Sequence, residues 1–199
     1  MAEVSTPTTR LEAVNSIIAS VGEAPANSLE APSRQAVLLG IRALDESSRM
    51  IQSKGWFWNR EEEVTLTADA SGFFNLASNV LRAKVSTVAL TWLTRQYVFR
   101  NTKLYNAKTR TYVFTVGSTI QVDQVLLHPF EELPEPARFA IYARGGVLFQ
   151  SRHLGGETLY SFTESLARAA YGQLLENETE VMRWNLDESG GLRDLVFRR

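Results

Sequence analysis

Two stretches near the start of the chain repeat apolar residues at helical spacing, which predicts two amphipathic helices. The first is predicted to begin at Thr9, which has capping-box spacing with Glu12, and to stop at Gly22. The second is predicted over residues 33–54, with Gly55 as the residue that closes it. We expect both apolar stripes to pack in a core rather than to form a cofactor site. The stripes comprise Leu11, Val14, Ile17, Ile18 and Val21, and then Val37, Ile41, Leu44, Ser48 and Ile51.

The middle of the chain changes to the pattern that is typical of strands. From about Trp56 onward, apolar residues alternate or cluster with Thr and Ser. Turn-forming residues such as Asn101, Asn106 and Gly117 separate these runs. The pattern therefore predicts a small antiparallel β domain. Its predicted strands cover residues 64–66, 80–92, 97–99, 112–116 and 119–122.

Apolar residues at helical spacing recur after Pro134. Proline is well tolerated in the first turn of a helix, so a third helix can begin there. This third helix is predicted to run to about Arg152. It contains Gly145 and Gly146, and glycine lowers helix stability by about 1 kcal/mol relative to alanine. We therefore expect the third helix to pack closely against a neighbour at this pair. A fourth helix is predicted over residues 159–182.

The order of these patterns predicts an α+β fold. Two pairs of helices flank the β region, so the helices are expected to form one discontinuous four-helix bundle with a small antiparallel β domain inserted in it. We assign residues 1–58 and 131–183 to the bundle and residues 59–130 to the β domain. Residues 184–199 lack a sustained period and are predicted to form an extended C-terminal arm.

The arm is the first candidate interaction site. Four large apolar side chains in its last part, Leu192, Leu195, Val196 and Phe197, follow the flexible pair Gly190-Gly191. Exposed apolar groups of this kind mark interaction surfaces. We expect the arm to dock on another subunit or on a partner protein. The alternative is that it packs back on its own bundle.

The second candidate site is the junction between the first helical pair and the β region. Gly55, Trp56, Phe57 and Trp58 follow the predicted end of the second helix. We interpret them as an interdomain hinge, because amphipathic rings are suited to a boundary. The alternative is a stacking platform for sugars or nucleic-acid bases.

Composition and charge narrow the class of protein. The chain has 199 residues, 44% of them apolar and 22% charged, which is ordinary for a soluble globular protein. The formal net charge of −1 argues against a dominant basic surface for nucleic acid, although local patches remain possible. There are no cysteines, so disulfides and thiolate metal sites are excluded. The first nine residues do not resemble a signal peptide, and no apolar run is long enough for a membrane span.

The sequence offers little catalytic chemistry. It lacks a G-x-S-x-G motif, an H-E-x-x-H motif and a G-x-x-x-x-G-K phosphate loop. The only histidines are His128 and His153, for which we expect capping or surface roles. Three successive glutamates, Glu61 to Glu63, enter a predicted strand and would point to alternating faces, which favours a solvated edge over a glycosidase pair. We therefore predict no catalytic residues, no metal site and no cofactor.

Three segments carry a resemblance to a known family. They are LEAVNSIIASVGEAP at residues 11–25, IQSKGWFWN at 51–59 and ELPEPAR at 132–138. In this combination and spacing the chain resembles the tail tubular protein A family of podophages, also described as head-to-tail adaptors. The resemblance spans most of the chain, and its order of segments agrees with the predicted elements.

The resemblance implies a structural virion protein that is assembled in the host cytoplasm. It implies a ring of twelve subunits between the portal protein and a tail nozzle of the tail tubular protein B type, with the helices forming the wall and the β domains facing the nozzle. Phage DNA would pass through the channel without specific binding. Two alternatives remain at this point: an envelope polysaccharide or peptidoglycan hydrolase of the tail, and a DNA-binding module. A basic stripe on one face would favour the DNA-binding module.

Overall fold

A computed structural model describes residues 6–86, 96–153 and 157–188 of the chain. It confirms the predicted α+β fold, with four helices and small antiparallel sheets. The chain divides into two compact units, one from Met1–Ile51 with Pro129–Arg199 and one from Gln52–His128. The elements are α1 Arg10–Ala19, α2 Gln35–Gln52, β1 Arg60–Thr67, β2 Val80–Val85, β3 Tyr97–Arg100, β4 Lys103–Asn106, β5 Thr119–Leu126, α3 Glu135–His153 and α4 Glu157–Glu188.

The capping box at the start of α1 is confirmed. The Glu12 backbone N–H donates to the Thr9 hydroxyl at 3.2 Å, and the Thr9 N–H donates to the Glu12 carboxylate at 2.7 Å. This reciprocal pair satisfies two backbone donors that a helix start would otherwise leave unpaired. The helix ends at Ala19, and Gly22 follows with a left-handed φ of 79°. The start of α1 is thus fixed by local chemistry.

The first glycine of the pair in α3 lies in close contact with neighbouring helices of the first unit. A Cβ atom on Gly145 would lie 2.6 Å from Cδ1 of Ile17 and 3.6 Å from the carbonyl oxygen of Ala43. The close neighbours are therefore α1 and α2, and the prediction of close helix packing is confirmed. Gly40 on α2 makes a similar approach, because its Cβ would lie 2.8 Å from Ile18.

The last helix is longer than the sequence pattern indicates. It begins at Glu157 and continues to Glu188, so the prediction of an extended arm is wrong for residues 184–188. Residues 183–188 contain no glycine or proline that would stop a helix, and Gly190 comes only later. Residues 189–199, with the apolar part of the predicted arm, lie outside the described residues.

The second unit contains a three-stranded antiparallel sheet in the order β1-β5-β2 and a separate hairpin, β3–β4. Strand β1 forms an edge of the sheet, and its register shifts between Glu61 and Val64, which marks a β-bulge. Phe74 and Leu104 lie at the centre of a small core. Side chains from the sheet and the hairpin pack around that centre: Leu66, Val85, Tyr97, Phe99, Phe114 and Ile120.

The predicted strand at residues 112–116 is wrong. The segment is irregular, and the Phe114 N–H donates to the carbonyl oxygen of Gly72 at 2.8 Å. Gly72 has a φ of 78°, and a Cβ there would lie 2.5 Å from the Phe114 carbonyl oxygen. Only Phe114 turns into the core, where its ring meets Phe74 edge-on at 5.1 Å. The alternation predicted a strand, but no continuous strand partner lies beside it. The predicted strand at 80–92 is β2 as far as Val85, and residues 87–95 lie outside the described part.

Candidate interaction surfaces

The predicted hinge residues lie within the second unit. The unit begins at Gln52, whereas the sequence-based boundary was placed after Trp58. Buried Asn59 explains the difference, because its side chain ties this segment to the end of β5. The Asn59 amide donates to the carbonyl oxygens of Gln52 at 2.9 Å and Leu126 at 2.8 Å, and its oxygen accepts from the Trp56 N–H at 2.8 Å.

The aromatic residues of this segment have different surroundings. Trp56 is 4% exposed, whereas Phe57 is 50% exposed. The Trp58 Nε1 atom is buried and has no hydrogen-bond partner within the described part of the chain. A platform that stacks ligands on all three rings is therefore excluded, because the Trp56 ring is covered. The hinge role of residues 55–58 stays a prediction.

Gly55 has a structural role that the sequence indicated only in part. Its φ of 81° is in the left-handed region, as expected of a residue that closes a helix. A Cβ atom there would also lie 2.9 Å from both the Arg82 guanidinium and Val125. Sequence reasoning missed Gln52 and Asn59 as anchors, although both lie in the segment 51–59 that carries the resemblance. The signal that could have revealed Asn59 is its position directly after Trp58, where the predicted β region begins.

The end of α4 presents an apolar stripe. Beyond Leu174 no side chain is buried as far as Met182, where the description of side chains ends. Leu175 and Met182 are 46% and 40% exposed, and their spacing of seven residues places them on one helix face. Glu176 and Glu180 are exposed on the adjoining face. We call residues 175–188 the α4 end.

The outer surface of the β3–β4 hairpin combines cations with aromatic rings. Register pairs Val98 with Tyr105 and Arg100 with Lys103, so all four side chains share the face opposite to Phe99 and Leu104. The Arg100 guanidinium lies over the Tyr105 ring at 3.8 Å, and the Tyr105 and Tyr112 rings are 4.8 Å apart. Exposed Val113 follows Tyr112. We call this surface the hairpin face; it comprises Val98, Arg100, Lys103, Tyr105, Tyr112 and Val113.

Asp69 organises the loop beside the hairpin face. Its carboxylate accepts backbone N–H groups from Phe73 at 3.0 Å and Ser71 at 2.8 Å. The Phe73 hydrogen bond is the main cause that lowers the pKa of Asp69, and the charge of Lys103 contributes. The Lys103 ammonium in turn lies 4.0 Å from the centre of the Phe73 ring. The loop therefore holds Phe73 under one cation of the hairpin face.

The net charge of −1 conceals an unequal distribution between the two units. Residues 52–128 carry nine Lys and Arg but five Asp and Glu, whereas the rest of the chain carries twelve and seventeen. Seven of the nine cations lie between Asp69 and Asp123, an interval without an acidic residue. The hairpin face lies in this interval. The β unit is therefore basic and the helical unit acidic.

The other candidate groups are located as follows. Glu61, Glu62 and Glu63 are exposed on edge strand β1, as predicted, and Glu63 has a φ of 57° in the bulge. The backbone of His128 exchanges two hydrogen bonds with the Gln52 side chain, and α3 ends at His153. Among the described residues, no three His, Asp or Glu side chains are grouped to hold a metal ion. No described helix is both long and apolar enough to cross a membrane.

Comparison with known families decides the class of protein. A family model described as tail tubular protein matches residues 11–184, which include the whole second unit and most of the first. The chain belongs to the tail tubular protein family. It is therefore a structural component of a phage tail. No curated protein matches this tail tubular protein.

For a member of this family the candidate functional sites are exposed surfaces rather than ligand pockets. A tail component acts through contacts with other protein subunits, and such contacts concentrate on exposed aromatic, apolar and arginine side chains. In this tail tubular protein the α4 end and the hairpin face have that composition. The arm residues Leu192, Leu195, Val196 and Phe197 share it in sequence and stay a prediction, because they lie outside the described part.

Proposed function

We propose that this protein is the head-to-tail adaptor of a short-tailed phage. In this role it forms a ring, a dodecamer, between the portal protein and the tail nozzle, and DNA is ejected through the channel. The observation that carries the proposal is the family match over residues 11–184, which extends from the first helix into the last. The protein acts by holding two ring assemblies together and has no catalytic step.

The described surfaces support an assembling subunit. A closed ring needs two different patches on each subunit, because each copy contacts one neighbour with one patch and the other neighbour with the second. The α4 end and the hairpin face are two such patches, and they differ in charge and in secondary structure. Each offers exposed apolar side chains, for which the partner would provide cover.

The C-terminal arm is proposed to provide contact with the portal or with a neighbouring subunit. Burying each of its four large apolar side chains contributes about 1.5 to 3 kcal/mol. Ordering the backbone costs about 1 to 2 kcal/mol per residue. For the eight residues 192–199 the ordering cost is about 8 to 16 kcal/mol and the burial gain about 6 to 12 kcal/mol. Because the two nearly balance, the arm is expected to order only where a partner covers it. Such coupling would delay ring formation until the portal is present.

The proposal is tested by negative-stain imaging of the purified protein with and without its portal. We expect single subunits without portal and rings stacked on the portal when both are mixed. A variant that ends at residue 189 should remain folded and should no longer join the portal. Rings that form equally well from the shortened chain would contradict the role of the arm. A protein that never joins the portal would contradict the adaptor itself.

A further inference from the structure

The α4 end and the hairpin face are complementary to each other. The α4 end carries exposed Leu175 and Met182 beside Glu176 and Glu180, so it is apolar and acidic. The hairpin face carries exposed valines and tyrosines beside Arg100 and Lys103, so it is apolar and basic. Both the charge and the apolar character of one surface therefore match the other. Burial of apolar surface stabilises an interface of this kind, and the opposite charges orient the two partners.

We propose that the α4 end of one copy packs on the hairpin face of a neighbouring copy. This inference rests on the proposed ring function and names the lateral contact of the ring. Leu175 and Met182 would lie against Val98, Tyr112 and Val113. Glu176 and Glu180 would face Arg100 and Lys103. The contact joins two different patches, so it repeats from copy to copy and generates a ring when the rotation closes.

The length of α4 makes its end available for such a contact. A helix of 32 residues is about 48 Å long, whereas α3, with 19 residues, is about 28 Å long. Leu174 is the last buried side chain of α4 among those that the structure describes, which extend to Met182. From Leu175 to Met182 the helix therefore lies beyond the part that the bundle covers. A protruding helix with one apolar face is suited to a groove or face on another subunit.

A second copy fits the hairpin face better than DNA does. A phosphate backbone would pair with the cations but would leave exposed Val98 and Val113 uncovered. The Arg100 guanidinium already stacks on Tyr105, an arrangement that is common at protein interfaces because arginine and tyrosine are enriched there. The α4 end covers the valines and neutralises the cations together. DNA binding is therefore an alternative outcome of the test.

The test uses reciprocal charge reversal. One variant carries Arg100→Glu and Lys103→Glu, and the other carries Glu176→Arg and Glu180→Arg. Each alone places like charges opposite each other at every lateral contact, which should weaken self-association by about tenfold or more. In an equimolar mixture the acidic hairpin of the first variant meets the basic helix of the second. The natural basic hairpin of the second variant meets the natural acidic helix of the first, so both kinds of contact pair opposite charges. We expect the mixture to associate like the unaltered protein, as measured by analytical ultracentrifugation at high concentration and on the portal.

Cross-linking provides a measurement that does not require complete rings. The natural sequence has no cysteine, so single cysteines can be introduced without interference. Protein with Glu180→Cys is mixed with tagged protein carrying Lys103→Cys, and a short bis-maleimide joins neighbouring thiols. We expect a mixed dimer that is several-fold more abundant than in the matched control, which carries Leu166→Cys on α4 and Glu62→Cys on β1. Circular dichroism checks that every variant is folded.

The outcomes separate the two proposals. Restoration in the mixture together with the specific cross-link supports the lateral contact. Rings on the portal that are unaffected by either reversal, or cross-linking no stronger than the control, would overturn the contact while the adaptor role stands. Salt-dependent binding of duplex DNA that only the Arg100→Glu, Lys103→Glu variant loses, without change in self-association, would overturn it in favour of DNA. Failure of the unaltered protein to join the portal would instead overturn the adaptor role.

Discussion

Asn59 shows how a single buried polar side chain fixes the start of the β unit. It makes three hydrogen bonds, to the backbone of Gln52, Trp56 and Leu126. Replacement by alanine removes the acceptor of the Trp56 N–H and both hydrogen bonds that the Asn59 amide donates. A buried polar group that is left without a partner costs about 1 to 3 kcal/mol. We predict that Asn59→Ala lowers the free energy of unfolding by at least about 2 kcal/mol in urea titration. The exposed control Asn79→Ala should change it little. Equal stability of both variants would contradict the role of Asn59.

Two glycines within helices should respond to alanine in opposite directions. At Gly145 the new Cβ would meet Ile17 at 2.6 Å, and such overpacking costs about 1 to 3 kcal/mol, which exceeds the gain in helix propensity. At Gly172 in α4 nothing lies within 4 Å, so alanine should stabilise by up to about 1 kcal/mol. Thermal unfolding of Gly145→Ala and Gly172→Ala measures both. A rise in Tm for Gly145→Ala would show that the Ile17 side chain moves aside without cost, which would contradict the prediction.

Among the elements, α2 and α3 are joined by a bidentate salt bridge. The Arg152 guanidinium donates to both oxygens of Glu46, at 2.8 and 2.9 Å. This hydrogen bond lowers the pKa of Glu46 below its ordinary value of 4.5. A carboxyl whose pKa is lower in the folded state stabilises the fold fully above its unfolded pKa, and the stabilisation is lost as the pH falls through the folded pKa.

The pH dependence of this pair is open to measurement. We predict that Glu46→Gln is less stable than the natural protein at pH 7 and that the difference shrinks as the pH falls below about 4.5. The effect should be small, because both side chains are partly exposed and screened by solvent. Urea unfolding from pH 7 to pH 3 provides the comparison, with Glu23→Gln as a control. A difference that is constant with pH would contradict the assignment.

The elements that the sequence predicted best are those whose signals are local. The capping box at Thr9 and the left-handed stop at Gly55 depend on neighbours in sequence, and both are confirmed. The segment 112–116 was mispredicted because a strand depends on a partner that is distant in sequence, and here Phe114 meets Gly72 instead. The hairpin face was likewise not predictable, since Tyr105 and Tyr112 meet only through the fold. The end of α4 was missed because its late residues lack apolar periodicity.

For the whole molecule we predict no hydrolytic activity. The sequence has no cysteine and two histidines, and its densest carboxylate cluster, Glu61 to Glu63, is exposed along edge strand β1. A retaining or inverting glycosidase needs two carboxyl groups held on opposite sides of a bound sugar. We expect no turnover of peptidoglycan or capsular polysaccharide above background, with a lysozyme assayed in parallel. Turnover that a single carboxylate substitution abolishes would contradict this prediction.

The two units of the chain carry opposite net charge. A basic β unit and an acidic helical unit in the same chain favour contacts between unlike units of neighbouring copies. We predict that moderate salt slows assembly of the protein on the portal, because charge complementarity between neighbouring copies mainly accelerates encounter. Stopped-flow light scattering at increasing salt, with glycerol-matched viscosity, measures the rate. A rate that does not depend on salt would argue for a purely apolar contact.

The mass of the complex with the portal decides whether this tail tubular protein is a ring-forming adaptor. Native mass spectrometry of purified portal, with and without the protein, counts the subunits that bind. We predict that the portal gains twelve copies of the 22.3 kDa chain in one cooperative step, with few intermediates. A portal that gains no mass, or a random distribution of copies without a closed number, would contradict it.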